Sequence, residues 1–119
     1  MKIAIPTEGN KLDTAISKLF GRAPFILFYN TVTKESEFLD NTAVSTIGGA
    51  GTRVAEVIAD HGVKALLTEH CGENAMKALN RAEVLIYKAI PGTVRQNIEA
   101  FELEQLVLLN SFSSGFQEN

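Results

Sequence analysis

Residues 48–72 read GGAGTRVAEVIADHGVKALLTEHCG, and this stretch predicts a helix followed by a buried strand. Gly62 stands where a left-handed residue ends a helix, and residues 63–68 form a short apolar run typical of a buried strand. Upstream of Gly62, side chains recur at the i, i+3, i+4, i+7 spacing of one helix face: Val54, Val57, Ile58 and His61.

The same alternation continues on both sides of this stretch. Upstream, residues 2–6 predict a strand ended by Pro6, and residues 25–39 predict a hairpin. Downstream come a second helix, a strand at 84–87 and a third helix that begins with a capping box at 93–96. This order predicts an α/β sheet with helices on both faces. The strands reached by crossovers should be parallel, and strand 25–31 should be antiparallel.

Two connections complete the predicted organisation. Residues 7–23 are mostly polar and predict a long loop, which in a compact domain is usually functional or mobile. Residues 40–47 are predicted as a linker.

The composition and charge of the chain exclude several classes of protein. The chain has 119 residues, the size of one domain, and its 45% apolar and 21% charged residues exclude disorder of the whole chain. Neither half has an excess of bases, and the net charge is −3, which argues against a nucleic-acid binder. The longest apolar runs are too short to span a membrane. The single cysteine, Cys71, excludes an internal disulfide, so we expect a cytoplasmic protein.

The glycine-rich segment 48–51 is the first candidate site. Glycines before a helix allow backbone amides to approach an anion, so Gly49, Ala50 and Gly51 are candidate ligand-binding residues. Arg53, one turn into the helix, would add a cation. The segment matches neither a dinucleotide fingerprint nor a phosphate-binding P-loop. A flexible entry into the helix is equally compatible with this pattern.

The segment His70-Cys71-Gly72 is the second candidate. It follows a predicted parallel strand, at the edge where open α/β sheets bind ligands. A thiol at a helix N-terminus is expected to have a lowered pKa and to be a good soft-metal ligand, and His70 adds an imidazole. The spacing alone favours a simpler interpretation, with Cys71 as a small half-buried residue and His70 as a surface residue. His61, at a helix end, is predicted to be structural.

Carboxylates at strand ends raise the possibility of a magnesium-dependent nuclease. Glu8 and Glu69 each follow a predicted strand. However, strand 2–6 carries no acid, and Glu56 and Asp60 lie on the polar face of their helix. We therefore interpret these carboxylates as solvated.

Several segments, in this order, carry a family resemblance: residues 1–8 (MKIAIPTE), 20–24 (FGRAP), 49–51 (GAG), 70–75 (HCGENA) and 92–94 (GTV). The chain resembles the dinitrogenase iron–molybdenum cofactor biosynthesis family, the NifX-like domain also found at the C-terminus of NifB proteins. The resemblance covers residues 1–106 and leaves 107–119 as a C-terminal tail. It implies a three-layer α/β/α fold with a ribonuclease-H-like motif. The implied sheet is five-stranded and mixed, of order 3-2-1-4-5, with strand 2 antiparallel.

The resemblance also implies a function. It points to a non-catalytic binding or carrier domain for an iron–sulfur or molybdenum-containing cluster or its precursor, with a cluster-donor or acceptor protein as partner. Such a cluster needs soft ligands and anion-binding groups, which Cys71, His70, Gly72, the amides of 49–51 and Arg53 would supply. A metal-free module that binds an anion or a protein is the alternative, and a ribonuclease-H-like enzyme is a third.

The chain departs from the family pattern at two single positions and in one short stretch. Glu73 stands where many members have Pro, and Leu19 stands where many have His. The sequence Leu-Glu-Gln at 103–105 replaces a small, glycine-containing stretch. Glu73 brings a negative charge to a site meant for an anion, and Leu19 removes one possible ligand.

Overall fold

A computed structural model describes residues 1–45 and 48–110. These residues form one mixed sheet of order β3-β2-β1-β4-β5-β6. The strands are β1 (Lys2–Thr7), β2 (Phe25–Asn30), β3 (Ser36–Asp40), β4 (Ala65–Thr68), β5 (Leu85–Lys88) and β6 (Val107–Leu108). The helices are α1 (Thr42–Ser45), α2 (Ala50–Asp60), α3 (Glu73–Arg81) and α4 (Val94–Glu102).

The pairing of the first five strands confirms the predicted order. β2 is antiparallel to β1, with Lys2 opposite Asn30 and Thr7 opposite Phe25. β4 lies parallel to β1 on its other side, and β5 lies parallel to β4. The carboxyl ends of β1, β4 and β5 therefore share one edge of the sheet, where the loops that follow them begin.

The prediction of five strands was wrong, because the described residues form six. β6 pairs antiparallel with β5, and Asn110 extends this contact by accepting a hydrogen bond from the Ile86 amide through Oδ1 (2.6 Å). A two-residue strand has too short a pattern to detect in a sequence. Two residues of the predicted tail thus join the sheet, while residues 111–119 lie outside the described residues.

Each face of the sheet is covered by its own apolar core. One core joins α2 and α3 to the sheet, and the other joins α4 to the opposite face. The first contains Ala4, Ile26, Phe28, Leu66 and Ile86 from the strands, with Val54, Ile58, Ala75 and Leu79 from the helices. The second contains Ile3, Ile5, Leu27, Ala65 and Leu67 from the strands, with Val94 and Ile98 from α4. The helices therefore lie on both faces, as predicted.

The connections differ in detail from the prediction. α1 lies within the predicted linker 40–47, whose residues 46–47 are outside the described part of the chain. β1 runs one residue past Pro6.

Gly62 has the expected positive φ, +69°. His61 stacks its ring on Phe28 at a centroid distance of 4.1 Å, in agreement with a packing role.

The long loop after β1 crosses the carboxyl edge of the sheet from one core to the other. Ile16 belongs to the α4 side, whereas Phe20 and Ala23 belong to the α2–α3 side. A bridge from Ala15 to Thr93 ties the loop to the start of α4. No helix in the described residues is long and apolar enough to cross a membrane.

The predicted capping box of α4 is confirmed. Thr93 Oγ1 accepts a hydrogen bond from the Gln96 amide (3.1 Å), and Gln96 Oε1 accepts one from the Thr93 amide (2.9 Å). We expect Thr93→Ala to lower the free energy of unfolding by about 1 kcal/mol, because one helix amide loses its acceptor. Denaturant titration measures this change, and Thr93→Ser, which keeps the hydroxyl, is the control. An unchanged midpoint in Thr93→Ala would show that the box does not stabilise the fold.

Candidate ligand-binding cleft

A cleft of about 430 Å³ opens at the carboxyl edge of the sheet, on the side of α2 and α3. Three segments line it: residues 19–22 of the long loop, residues 49–52 at the start of α2, and residues 70 and 72–75 at the start of α3. Residues of both candidate segments of the sequence therefore lie at one cleft. Of the predicted site residues, it is lined by Gly49, Ala50, Gly51, His70 and Gly72.

The cleft forms because two helices begin at the same edge. α3 follows the carboxyl end of β4 directly, and α2 must start at that edge because it leads back to the opposite end of β4. Small residues bring the two first turns close together. A Cβ placed on Gly51 would lie 3.6 Å from the Ala75 Cβ, an ordinary van der Waals contact. Two partial positive charges of about half a unit each therefore converge on the cleft.

Both helices begin at a glycine, which has no side chain to cap the first turn. Gly49 precedes α2 with φ 73°, and Gly72 precedes α3 with φ −65° and ψ 162°. α4, on the other face, begins at Thr93 with similar angles, φ −87° and ψ 164°, and its hydroxyl accepts a helix amide. No N-cap side chain therefore accepts a first-turn amide of α2 or α3, and both first turns line the cleft.

The third wall consists of loop residues that the sequence did not single out as a site. Phe20 is buried in the core, and Leu19 beside it is 59% exposed. Gly21 lies against the backbone of α2, since a Cβ on Gly21 would be 2.5 Å from the Gly51 amide nitrogen. The length of the loop and the FGRAP segment were the available signals. Thr52 and Asn74 also line the cleft and were likewise missed.

The cation that lines the cleft differs from the predicted one. Arg53 is exposed on α2 and is not among the described lining residues, whereas Arg22 of the loop is. The prediction that Arg53 would supply a cation to the site used only its place one turn into the helix. Arg22 reaches the cleft through the path of the loop, which helix spacing does not reveal. Glu73, at the start of α3, places a carboxylate at the same cleft.

Cys71 lies beneath the cleft rather than in its lining. It is 8% exposed and belongs to the core of the α2–α3 side, with Sγ 3.7 Å from the Gly72 carbonyl oxygen, to which it donates. Burial raises the pKa of its thiol from 9.0 to about 11. The expectation of a lowered pKa was therefore wrong, because the thiol is buried, which the sequence does not reveal. The thiol is protonated at neutral pH.

A preformed metal cage is not evident within residues 1–45 and 48–110. No group of three or more His, Cys, Asp or Glu side chains in that part of the chain could hold a metal ion. His70, exposed at the cleft, and Cys71, buried next to it, remain the predicted soft-ligand pair. The cleft is thus lined by the first turns of two helices and by Arg22, and the neighbouring Cys71 thiol would have to lose its proton to bind metal.

Comparison with known families and structures places this cleft in context. Residues 1–104 match the model of the family described as dinitrogenase iron-molybdenum cofactor. The chain belongs to this family. The match covers all three walls of the cleft and ends just after α4.

The chain is also similar to proteins of known sequence or structure. An uncharacterized protein of Methanocaldococcus jannaschii is 32% identical over 104 residues, which are 85% of each chain. The apo form of the orange protein from Desulfovibrio gigas is 34% identical, with a TM-score of 0.85 over 90% of this chain and 91% of that one. A Thermotoga protein described as a putative NifB protein of the DUF35 family is 31% identical, with a TM-score of 0.81 over 97% and 98% of the two chains.

Proposed function

We propose that this protein is a non-catalytic carrier that binds an iron–sulfur or molybdenum-containing cluster, or its precursor, in the cleft between α2 and α3. Such cargo is an anionic metal–sulfide body. The observation that carries the proposal is the convergence of two helix N-termini, each beginning at a glycine, on one cleft. An anion there gains hydrogen bonds from amides that no N-cap side chain occupies.

Family membership makes metal–sulfide cargo the favoured anion. The family is named for the iron–molybdenum cofactor of dinitrogenase, and one structural relative was solved as an apo form, that is, without its ligand. The cleft volume, about 430 Å³, lies within the range of small-ligand sites, roughly 300–1,000 Å³. Arg22 offsets part of the charge of such cargo, and Glu73 opposes it.

His70 and Cys71 are the proposed metal ligands, and they differ in how exposed their side chains are to the cleft. The His70 side chain is exposed beside the amides of α3 and can bind a metal of the cargo directly. Cys71 must lose its proton and move toward the cleft, since its thiol is buried with a pKa of about 11. Initial docking of the cargo should therefore rest on the amides, the arginine and the imidazole.

The remaining parts of the proposal follow from the sequence. A carrier needs a donor or acceptor protein for its cargo, and we propose that such a protein approaches the open side of the cleft. The single free thiol suits a cytoplasmic location. The ribonuclease-H-like motif implied by the resemblance stays part of this proposal, without nuclease activity.

One observation favours a second candidate, a metal-free anion-binding module. The described cleft offers amides and an arginine, while its thiol is protonated and buried. An oxyanion such as sulfate or phosphate would use the same amides without any metal ligand.

Anaerobic titration separates these candidates. The purified protein is titrated with tetrathiomolybdate and, in parallel, with iron(II) and sulfide, and the visible charge-transfer absorption is recorded after desalting. We expect retained absorption with at least one of these probes, and weaker binding of molybdate, sulfate and phosphate. Equal binding of the oxyanions would favour the anion module. No retention of either metal–sulfide probe would contradict the carrier function.

A further inference from the structure

Asn41, directly after β3, is a buried polar residue that holds the cleft loop. Its side chain is 3% exposed, and its Nδ2 donates hydrogen bonds to the carbonyl oxygens of Gly21 (3.2 Å) and Ala23 (2.9 Å). Its backbone amide donates to the Pro24 carbonyl oxygen (2.8 Å). One residue thus satisfies three carbonyl groups of the segment 21–24, of which the Ala23 group belongs to a buried residue and would otherwise lose its partner away from water.

The segment held by Asn41 contains Gly21 and Arg22, which belong to the loop wall of the cleft. On its inner side, Gly21 touches the backbone of Gly51, so closely that even a methyl group would have no room. On its other side stands Asn41. The wall is therefore held between the first turn of α2 and the end of β3, and Arg22 lies between the two bonded carbonyl groups of Gly21 and Ala23.

We propose that Asn41 is a positioning residue for the cleft: it holds residues 21–24 against the first turn of α2 and thereby keeps Arg22 at the bound anion. This inference rests on the proposed function. Asn41 is outside the described cleft lining, so it acts only through the loop. Its loss frees the loop to move away from Gly51, which widens the cleft and withdraws the cation.

The chain contains a matched control for this role. Asn97 in α4 is also buried, at 0% exposed, and its Nδ2 donates to the carbonyl oxygens of Ile90 and Thr93 (both 3.0 Å). It therefore performs the same kind of backbone bonding on the opposite face of the sheet. Asn41→Ala and Asn97→Ala should destabilise the fold in similar ways, whereas only the first should affect the cleft.

The first measurement needs no ligand. Amide hydrogen exchange, followed by mass spectrometry at a temperature where both variants are folded, should be about tenfold faster in residues 19–24 of Asn41→Ala, because the loop opens more often. Asn97→Ala should leave that segment unchanged. If Asn41→Ala does not fold, Asn41→Ser, which keeps one shorter donor, takes its place. Unchanged exchange in residues 19–24 would overturn the positioning role.

The second measurement uses tetrathiomolybdate as the probe. Asn41→Ala should bind it roughly fivefold more weakly than the wild type and Asn97→Ala. Arg22→Gln should weaken binding in the wild type but add little in the Asn41→Ala background, since coupled positions are non-additive. The role of Asn41 would be overturned if the losses of binding free energy in the two single variants added fully in the double variant. It would also be overturned if Asn41→Ala bound tetrathiomolybdate with the affinity of the wild type. A wild-type protein that binds no metal–sulfide probe would instead overturn the proposed function, and with it the ligand role of Asn41.

Discussion

Gly72→Asp should weaken the binding of tetrathiomolybdate roughly 30-fold, while the fold keeps its stability or gains a few tenths of a kcal/mol. The backbone at Gly72 already has the angles of a helix cap, and nothing lies within 4 Å of an added Cβ. The new carboxylate would accept a hydrogen bond from the amide of Asn74 or Ala75. This carboxylate would thus occupy an amide that we propose for the ligand, and it would also repel tetrathiomolybdate, which carries two negative charges.

Two variants control this experiment. Gly72→Ala adds the Cβ without a capping group, so its affinity should stay near that of the wild type. Thr93→Asp places the same charge at the start of α4, on the other face, where a cap already exists. Anaerobic titration gives the affinities and denaturant titration the stabilities. Wild-type affinity in Gly72→Asp would mean that the anion does not bind at the start of α3.

The Cys71 thiol should react with iodoacetamide at neutral pH at least about 100-fold more slowly in the native protein than in the same protein unfolded by urea. The thiolate is the reactive form, and a rise in pKa from 9.0 to about 11 lowers the fraction of thiolate by about two orders of magnitude. Burial of the side chain, 8% exposed, slows the reaction further. Below pH 11, the native rate should rise about tenfold per pH unit.

The same proton governs metal binding by this residue. If Cys71 ligates a metal of the cargo, binding releases its proton, so the apparent affinity should rise with pH between about 7.5 and 9, about tenfold per unit. Cys71→Ala should abolish that slope and leave the amide-dependent affinity for tetrathiomolybdate. Rapid alkylation of the native protein near pH 7 would contradict the buried, protonated thiol. A pH-independent affinity in the wild type would remove Cys71 from the ligand set.

Most of the secondary structure could be predicted because its causes are local. The helix face of residues 54–61, the positive φ of Gly62 and the capping box at Thr93 each depend on residues close together in the chain. The alternation of strands and helices also limited how the strands could be connected. The order 3-2-1-4-5 came with the family resemblance, and the pairing of β1 with β2 and β4 confirms it.

Part of the candidate site could also be predicted, from the order of strands and helices along the chain. That the segments 49–51 and 70–72 meet follows from parallel strands whose following helices start at one edge. The loop wall could not be placed in this way, since its position depends on the contact of Gly21 with Gly51 and on the bonds from Asn41. Those contacts join residues 17 to 30 positions apart in the chain, with no periodic pattern between them.

The sequence by itself determined which helices have a side chain at the N-cap and which begin at a glycine, because a cap depends on residues within one helical turn. It also determined that a single thiol follows β4. Only the tertiary structure decided that this thiol is buried with a raised pKa, that Arg22 rather than Arg53 lines the cleft, and that Val107 and Leu108 extend the sheet. Burial and the meeting of distant segments arise from packing the whole chain, which short-range patterns do not encode.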